Sequence, residues 1–211
     1  MRTLVYFVDG PNGAGKDYFI NELVQSVKAE MIHPSVEVLR ATDFFDNKDT
    51  ASERRKYVQY DTEQSKTLSI VVGHFKLLER IAELAREQID VVIVNRSFLS
   101  TLAYNLYKQS QLFDRRLYLD LFMSLYSKYS YYVDMTFVNM LVSADELKIR
   151  QEERREGKPI DMSWNVKMID NYTRAAGDLI QQGARVEHLT SGQARILAKE
   201  ILEFKKKESD N

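Results

Sequence analysis

The chain has 211 residues, a length that suits one globular domain. Its 30 Lys and Arg balance 31 Asp and Glu to a net charge of −1, which argues against a broad nucleic-acid-gripping face but leaves room for a local cationic pocket. It has no cysteine, which excludes a disulfide scaffold, cysteine-ligated zinc and thiol catalysis.

Leu4 to Val8 is a short, wholly apolar run of the kind buried in a parallel strand. It is too short for the core of an export signal, and no other apolar run reaches bilayer length, so the cytoplasm is the expected compartment and no membrane partner is expected. Phe19, Ile20, Leu23, Val24 and Val27 then recur at helical spacing, and Val36 to Leu39 reads as a second strand. Residues 41–66 are polar without a clean period and read as a loop running into a helix. Leu68, Val71, Val72, Phe75, Leu78, Ile81 and Leu84 give a long amphipathic helix, followed by the strand Val91 to Val94. Leu117, Leu121, Phe122, Leu125 and Tyr129 mark another helix, and Tyr132 to Leu141 contains a strand. Helices are predicted at about 143–156, 163–182 and 193–205, with a last strand at Arg185 to Leu189 and a frayed polar tail at 206–211.

Strands therefore alternate with helices. This pattern predicts an α/β fold: a five-stranded parallel sheet flanked by helices on both faces, in one domain spanning 1–205. In such sheets ligands bind beyond the carboxyl ends of the strands.

Three of the eight glycines fall in Gly10-Pro11-Asn12-Gly13-Ala14-Gly15-Lys16, which fits the first seven positions of the phosphate loop G-x-x-x-x-G-K between a strand and a helix. Backbone N–H groups from Gly10, Asn12, Gly13, Ala14 and Gly15 can turn inward around phosphates. The helix N-terminus adds positive dipole, and Lys16 adds a point charge. An ordinary glycine turn entering a helix is the alternative.

The eighth position, normally Ser or Thr for Mg²⁺, is Asp17, a harder and stronger magnesium ligand. The end of the third strand, where an acid commonly helps hold the metal, is the neutral Asn95. The reading is that the carboxylate has moved from strand end to loop end, with Asp17 and Asn95 as the metal-side pair. The alternative is that Asp17 only complements the helix dipole. Arg96, directly after that strand, can pair bidentately with a substrate phosphate or form a structural ion pair. Arg40 ends the second strand and is a further candidate for a phosphate contact.

Asn95-Arg96-Ser97-Phe98-Leu99-Ser100-Thr101-Leu102-Ala103-Tyr104-Asn105 resembles, without a gap, the thymidylate kinase segment D-R-Y-x-x-S-x-L-A-Y-Q. Val133-Asp134-Met135-Thr136-Phe137 resembles that family's P-D-L-T-[LF] strand. Val8-Asp9-Gly10-Pro11-Asn12-Gly13 sits where the family has F-E-G-x-[DE]-G. The resemblance runs from residue 4 to about 180. It departs at Asn95, at Ser97 (Arg96-Ser97 being more like the [DE]-R-S of deoxynucleoside kinases), after the second strand, and at His74-Phe75-Lys76, where the family carries an arginine.

The resemblance implies a P-loop kinase fold with ATP and Mg²⁺ as cofactors, a small-molecule nucleotide substrate and a homodimer. It also implies a small mobile lid at about 150–162. Glu146, Arg150, Arg154 and Lys158 are spaced by four, with Arg155 alongside; a helix face stacked with cations suits an arriving anion, the alternative being a solvated surface helix. In that reading Lys16, Arg96, Arg150 and Arg154 carry catalysis, and Arg155 joins the loop on the donor nucleotide. Asp9, Arg40, His74, Phe75, Ser100, Tyr104 and Asn105 lie on the acceptor side. Tyr104 and Phe75 fit a nucleobase wall and helical core spacing equally. The expected reaction is transfer of the ATP γ-phosphoryl to a deoxynucleoside monophosphate, dTMP or a relative. Two rivals stand: a deoxynucleoside kinase with Asp43 as base, and a nucleotide-binding module without turnover.

Overall fold

The computed structural model describes residues 2–31, 33–44, 63–108, 115–154 and 162–209. Its strands are β1 (Thr3–Asp9), β2 (Val36–Arg40), β3 (Val91–Asn95), β4 (Val133–Met140) and β5 (Arg185–Leu189). Each begins and ends within one residue of the strand expected from the sequence. Among the described residues the helices are α1 (Lys16–Glu30), α2 (Glu63–Arg86), α3 (Phe98–Lys108), α4 (Arg115–Tyr129), α5 (Ala144–Arg154), α6 (Ser163–Gln181) and α7 (Ala194–Ser209). Short 3₁₀ turns cover Ala41–Phe44 and Ser191–Gln193.

The strands form one parallel sheet in the order β2-β3-β1-β4-β5. The central strand β1 has all seven residues buried, as expected of a strand covered on both faces. One face packs against α2, α3, α4 and α6 through an aromatic core. Phe98 stacks on Phe122 at 3.7 Å between ring centres, and Phe7 on Phe137 at 5.0 Å. The other face packs against α1 and α7, with Leu147 of α5. The register sets Val8 beside Asn95, Arg40 beside Asn95 and Asp9 beside Asn139, so the carboxyl ends of the inner strands finish level. The loops that follow them therefore share one edge of the sheet.

Two expectations are corrected. The C-terminal residues do not fray at 206, since α7 continues to Ser209. Its last turns are tied to the chain start: Lys205 Nζ donates to the Arg2 carbonyl at 2.7 Å, and Arg2 N–H donates to Glu208 at 3.0 Å. His74, expected on the acceptor side, lies in the core, 3% exposed, edge-on to Phe98 and Phe122 with Nε2 3.0 Å from Thr101 Oγ1. The polar stretch at 41–66 and the lid at about 150–162 fall mostly outside the described residues. Among the described residues no helix is long and apolar enough to cross a membrane.

Burial pushes the His74 imidazole down to about 3, so it is neutral in the folded protein. The unfolded chain takes up that proton below the usual histidine value, so the stability His74 contributes at neutral pH falls as pH falls through that window. From pH 7 to pH 5 the loss attributable to it is about 2 kcal/mol. Urea denaturation at the two pH values should show His74→Gln losing less stability on acidification than the unchanged protein by about this amount.

Candidate active site

The glycine-rich segment lies where its sequence requires, between β1 and α1. Gly10 passes so close to β4 that a Cβ there would lie 2.8 Å from Met140 Cβ. Gly15 has φ +88°, a left-handed conformation that side chains resist, and a Cβ there would meet Ser191 and Arg150 at 2.9 and 3.0 Å. Lys16 is buried and donates from Nζ to the Gly10 and Pro11 carbonyls, both at 2.9 Å, which curls its ammonium across the mouth of the loop. From outside, α5 holds the loop through Arg150, donating to Gly13 O at 3.1 Å and Ser191 Oγ at 2.9 Å, and through Gln151, donating to Asn12 O at 3.1 Å.

The carboxyl end of β1 carries Asp9, which is fully buried. One of its oxygens accepts from Ser97 N–H at 2.8 Å, Ser100 N–H at 3.0 Å and Ser100 Oγ at 2.6 Å. The other accepts from Ser97 Oγ at 2.5 Å. Burial pushes the Asp9 carboxyl up, against these four donors and the nearby Arg96 charge. Asp9 and Ser100, both expected on the acceptor side, are here engaged with each other at the start of α3, where Asp9 acts as a cap.

Arg96 sits between β3 and α3 at φ +69°, uncommon for a non-glycine residue, and its N–H donates to Val8 O at 2.9 Å. Its guanidinium donates to Asn12 Oδ1 and to Tyr172 OH at 3.4 Å, and lies over the Tyr104 ring at 5.8 Å. Tyr172 OH in turn bonds Ser100 Oγ at 2.9 Å. Arg96 is therefore held from three sides, and Tyr104 serves as its platform.

These elements enclose a crevice of about 380 Å³ lined by the loop, Lys16, Asp17, Tyr18, Arg40, Thr42, Asn95 and Arg96. That volume suits a small-molecule site. Three cations face it against one acid among its lining residues, the local cationic pocket that a neutral chain permits. Asn95 Nδ2 donates to Asp17 Oδ1 at 2.8 Å, so the two metal-side residues of the sequence reading meet. A carboxylate and an amide carbonyl beside a phosphate loop are hard oxygen donors that fit Mg²⁺, with its remaining positions left to phosphate oxygens and water.

Arg150 and Phe75 are not among the residues lining this crevice. Arg150 grips the outer side of the loop, where it also pairs with Glu146 at 2.5 Å. Arg155, and the side chains of Asn105 and Arg154, lie outside the described residues. Sequence reasoning missed Tyr18 and Thr42, whose only signal is that each adjoins a residue already singled out. It also missed Tyr172 and Gln151, which read as ordinary positions of their helices.

No protein-family model matches the sequence, and no curated protein does. Among solved structures, the thymidylate kinase from Ehrlichia chaffeensis superposes with a TM-score of 0.54 at 15% identity, covering 96% of this chain and 99% of that one. This chain shares its fold. In this chain the fold brings the loop after β1, the end of β3 and the start of α3 to one edge of the sheet, the edge that holds the crevice.

Removing the Asp9 carboxylate leaves its buried N–H and O–H donors without an acceptor. Asp9→Ala should therefore lower stability by about 3 kcal/mol in urea denaturation, and Asp9→Asn, which keeps one acceptor oxygen, by less.

Proposed function

We propose that this protein is a Mg²⁺-dependent nucleoside monophosphate kinase that transfers the γ-phosphoryl of ATP to a deoxynucleoside monophosphate, dTMP or a close relative. The observation that carries the reading is the crevice itself. Lys16, Arg40 and Arg96 converge there with the phosphate loop, and its one lining acid, Asp17, is paired with Asn95. A neutral sugar hydroxyl as acceptor benefits from a carboxylate base. Asp9 is fully engaged by four donors and Asp43 is not among the lining residues, so the crevice favours an acceptor that is already phosphorylated.

In this reading the loop amides and Lys16 hold the donor phosphates. Lys16 leaves the Gly10 and Pro11 carbonyls for phosphate oxygens, exchanging neutral acceptors for charged ones. Asp17, with Asn95 beside it, holds the metal, which when bound supplies charge neutralisation at the transferring phosphoryl. Arg96 clamps the acceptor phosphate, with Arg40 at the end of the neighbouring strand β2. Because Asn12, Tyr104 and Tyr172 already fix its guanidinium, little reorganisation is needed when the acceptor arrives. The acceptor phosphate is ionised and needs little base assistance, so positioning and electrostatics carry the rate. Arg150 braces the outside of the loop, Arg154 stays the cation proposed to close over the phosphoryl, and Arg155 the one proposed to join the loop on the donor nucleotide. A homodimer belongs to the same proposal, and exposed Val72, Leu117 and Leu121 on α2 and α4 offer it apolar surface.

ADP release from Mg·ATP, followed against a panel of deoxynucleosides and deoxynucleoside monophosphates, tests the reading. Turnover is expected with monophosphates only; turnover with nucleosides alone contradicts it. Lys16→Ala should reduce kcat at least ~100-fold. Arg96→Lys, which loses the planar fork but keeps the charge, should raise KM for the acceptor about tenfold and leave KM for ATP near its original value.

A further inference from the structure

The exchange of residue types at positions 17 and 95 has an electrostatic consequence. In an ordinary phosphate loop the residue after the lysine is a neutral hydroxyl, so the cradle presents donors and positive charge to a bare nucleotide. Here Asp17 puts a carboxylate at the first turn of α1, in the same crevice as Lys16 and the loop amides. It is exposed, and its neighbour Asn95 donates to Oδ1 at 2.8 Å, which orients the carboxylate without neutralising it. The other crevice cations are Arg40, which ends β2, and Arg96, which follows β3 and is assigned to the acceptor phosphate rather than the donor. A free triphosphate entering the cradle therefore meets a like charge.

Among the described residues no three His, Asp or Glu side chains come together as a metal site. One carboxylate and one amide make a weak site for a hard divalent cation, which takes six or more oxygens. Among the described residues, the remaining ligand positions are left to phosphate oxygens and water. A metal alone finds few ligands among the described residues, a free triphosphate meets the Asp17 charge, and each relieves the other's deficit.

We propose that Asp17 is a charge gate that makes nucleotide binding obligatorily metal-coupled: the crevice admits the divalent-cation complex of a nucleoside triphosphate and rejects the metal-free polyanion. The inference rests on the phosphate-loop part of the proposed function but concerns binding, not turnover. Coupling of this kind is reciprocal, so the nucleotide must raise metal affinity by the same factor that the metal raises nucleotide affinity.

The test is calorimetric titration of the full chain with ATP in EDTA and in excess Mg²⁺, and with Mn²⁺ alone followed by paramagnetic resonance of the free ion. Mg²⁺ is expected to raise ATP affinity about 100-fold, and Mn²⁺ without nucleotide to bind no more tightly than ~1 mM. Asp17→Ser should bind ATP several-fold more tightly in EDTA than the unchanged chain does, and its magnesium effect should shrink to about tenfold or less. Asp17→Asn, which keeps the shape and the contact with Asn95, should behave like Asp17→Ser and guards against an effect of altered packing. Asp17→Ser combined with Asn95→Asp returns the acid to the strand end and should recover much of the magnesium effect.

Equal magnesium effects in the unchanged chain and both single variants would overturn the gate, as would tight Mn²⁺ binding without nucleotide. Absence of ATP binding under every condition would overturn it together with the proposed function. The predicted coupling in a protein that turns over none of the acceptor panel would uphold the gate and overturn the kinase reading alone.

Discussion

The site depends on one buried carboxylate. Asp9 ends the central strand in a place where no water reaches it, and an unpartnered charge there would be prohibitively costly. Four donors offset that cost, two from Ser97 just before α3 and two from Ser100 in its first turn. One interaction therefore joins the end of β1 to the end of β3 and fixes the first turn of a helix whose own cap would otherwise be incomplete. The phosphate loop starts one residue after Asp9, and Arg96 stands one residue before Ser97. The distance between the proposed donor and acceptor phosphate sites is set by this clamp.

Polar contacts extend from the clamp rather than standing apart from it. Ser100 passes to Tyr172, Tyr172 to Arg96, and Arg96 to Asn12 of the loop. The loop is thus held from inside the crevice by Arg96 and from outside by Arg150 and Gln151. Such a network is costly if partly satisfied and stiffening when complete, which suits a site whose proposed work is positioning. The left-handed backbone at Arg96 is consistent with this view, because strain of that kind persists only where the surroundings over-determine it.

Much of the fold was legible because it follows from local pattern. The runs Leu4 to Val8 and Val91 to Val94 are apolar throughout, as strands covered on both faces must be, and the glycine loop could be placed between a strand and a helix. The meeting of Asp17 with Asn95 was also foreseeable, because a loop end and a neighbouring strand end share one edge of a parallel sheet. What failed to show in sequence was the use made of side chains across long separations. Asp9 reads as a loop-mouth acid and is a helix cap 88 residues away from Ser97. His74 reads as a pocket residue by alignment, yet its helix turns it into the aromatic core. Arg150 reads as a cation awaiting phosphate, yet three oxygen acceptors on the outer side of the loop already engage it. Periodicity tells which face a residue occupies, not which distant partner it finds there.

The central claim is that a single crevice joins two phosphate sites, one in the loop and one at Arg96. The most direct measurement is the affinity, in the presence of Mg²⁺, of a bisubstrate compound in which adenosine and deoxythymidine are joined through five phosphates. The account predicts binding at least ~100-fold tighter than either ATP or dTMP alone, with the gain lost in Arg96→Ala. Binding no tighter than that of ATP, or unaffected by Arg96→Ala, would contradict it.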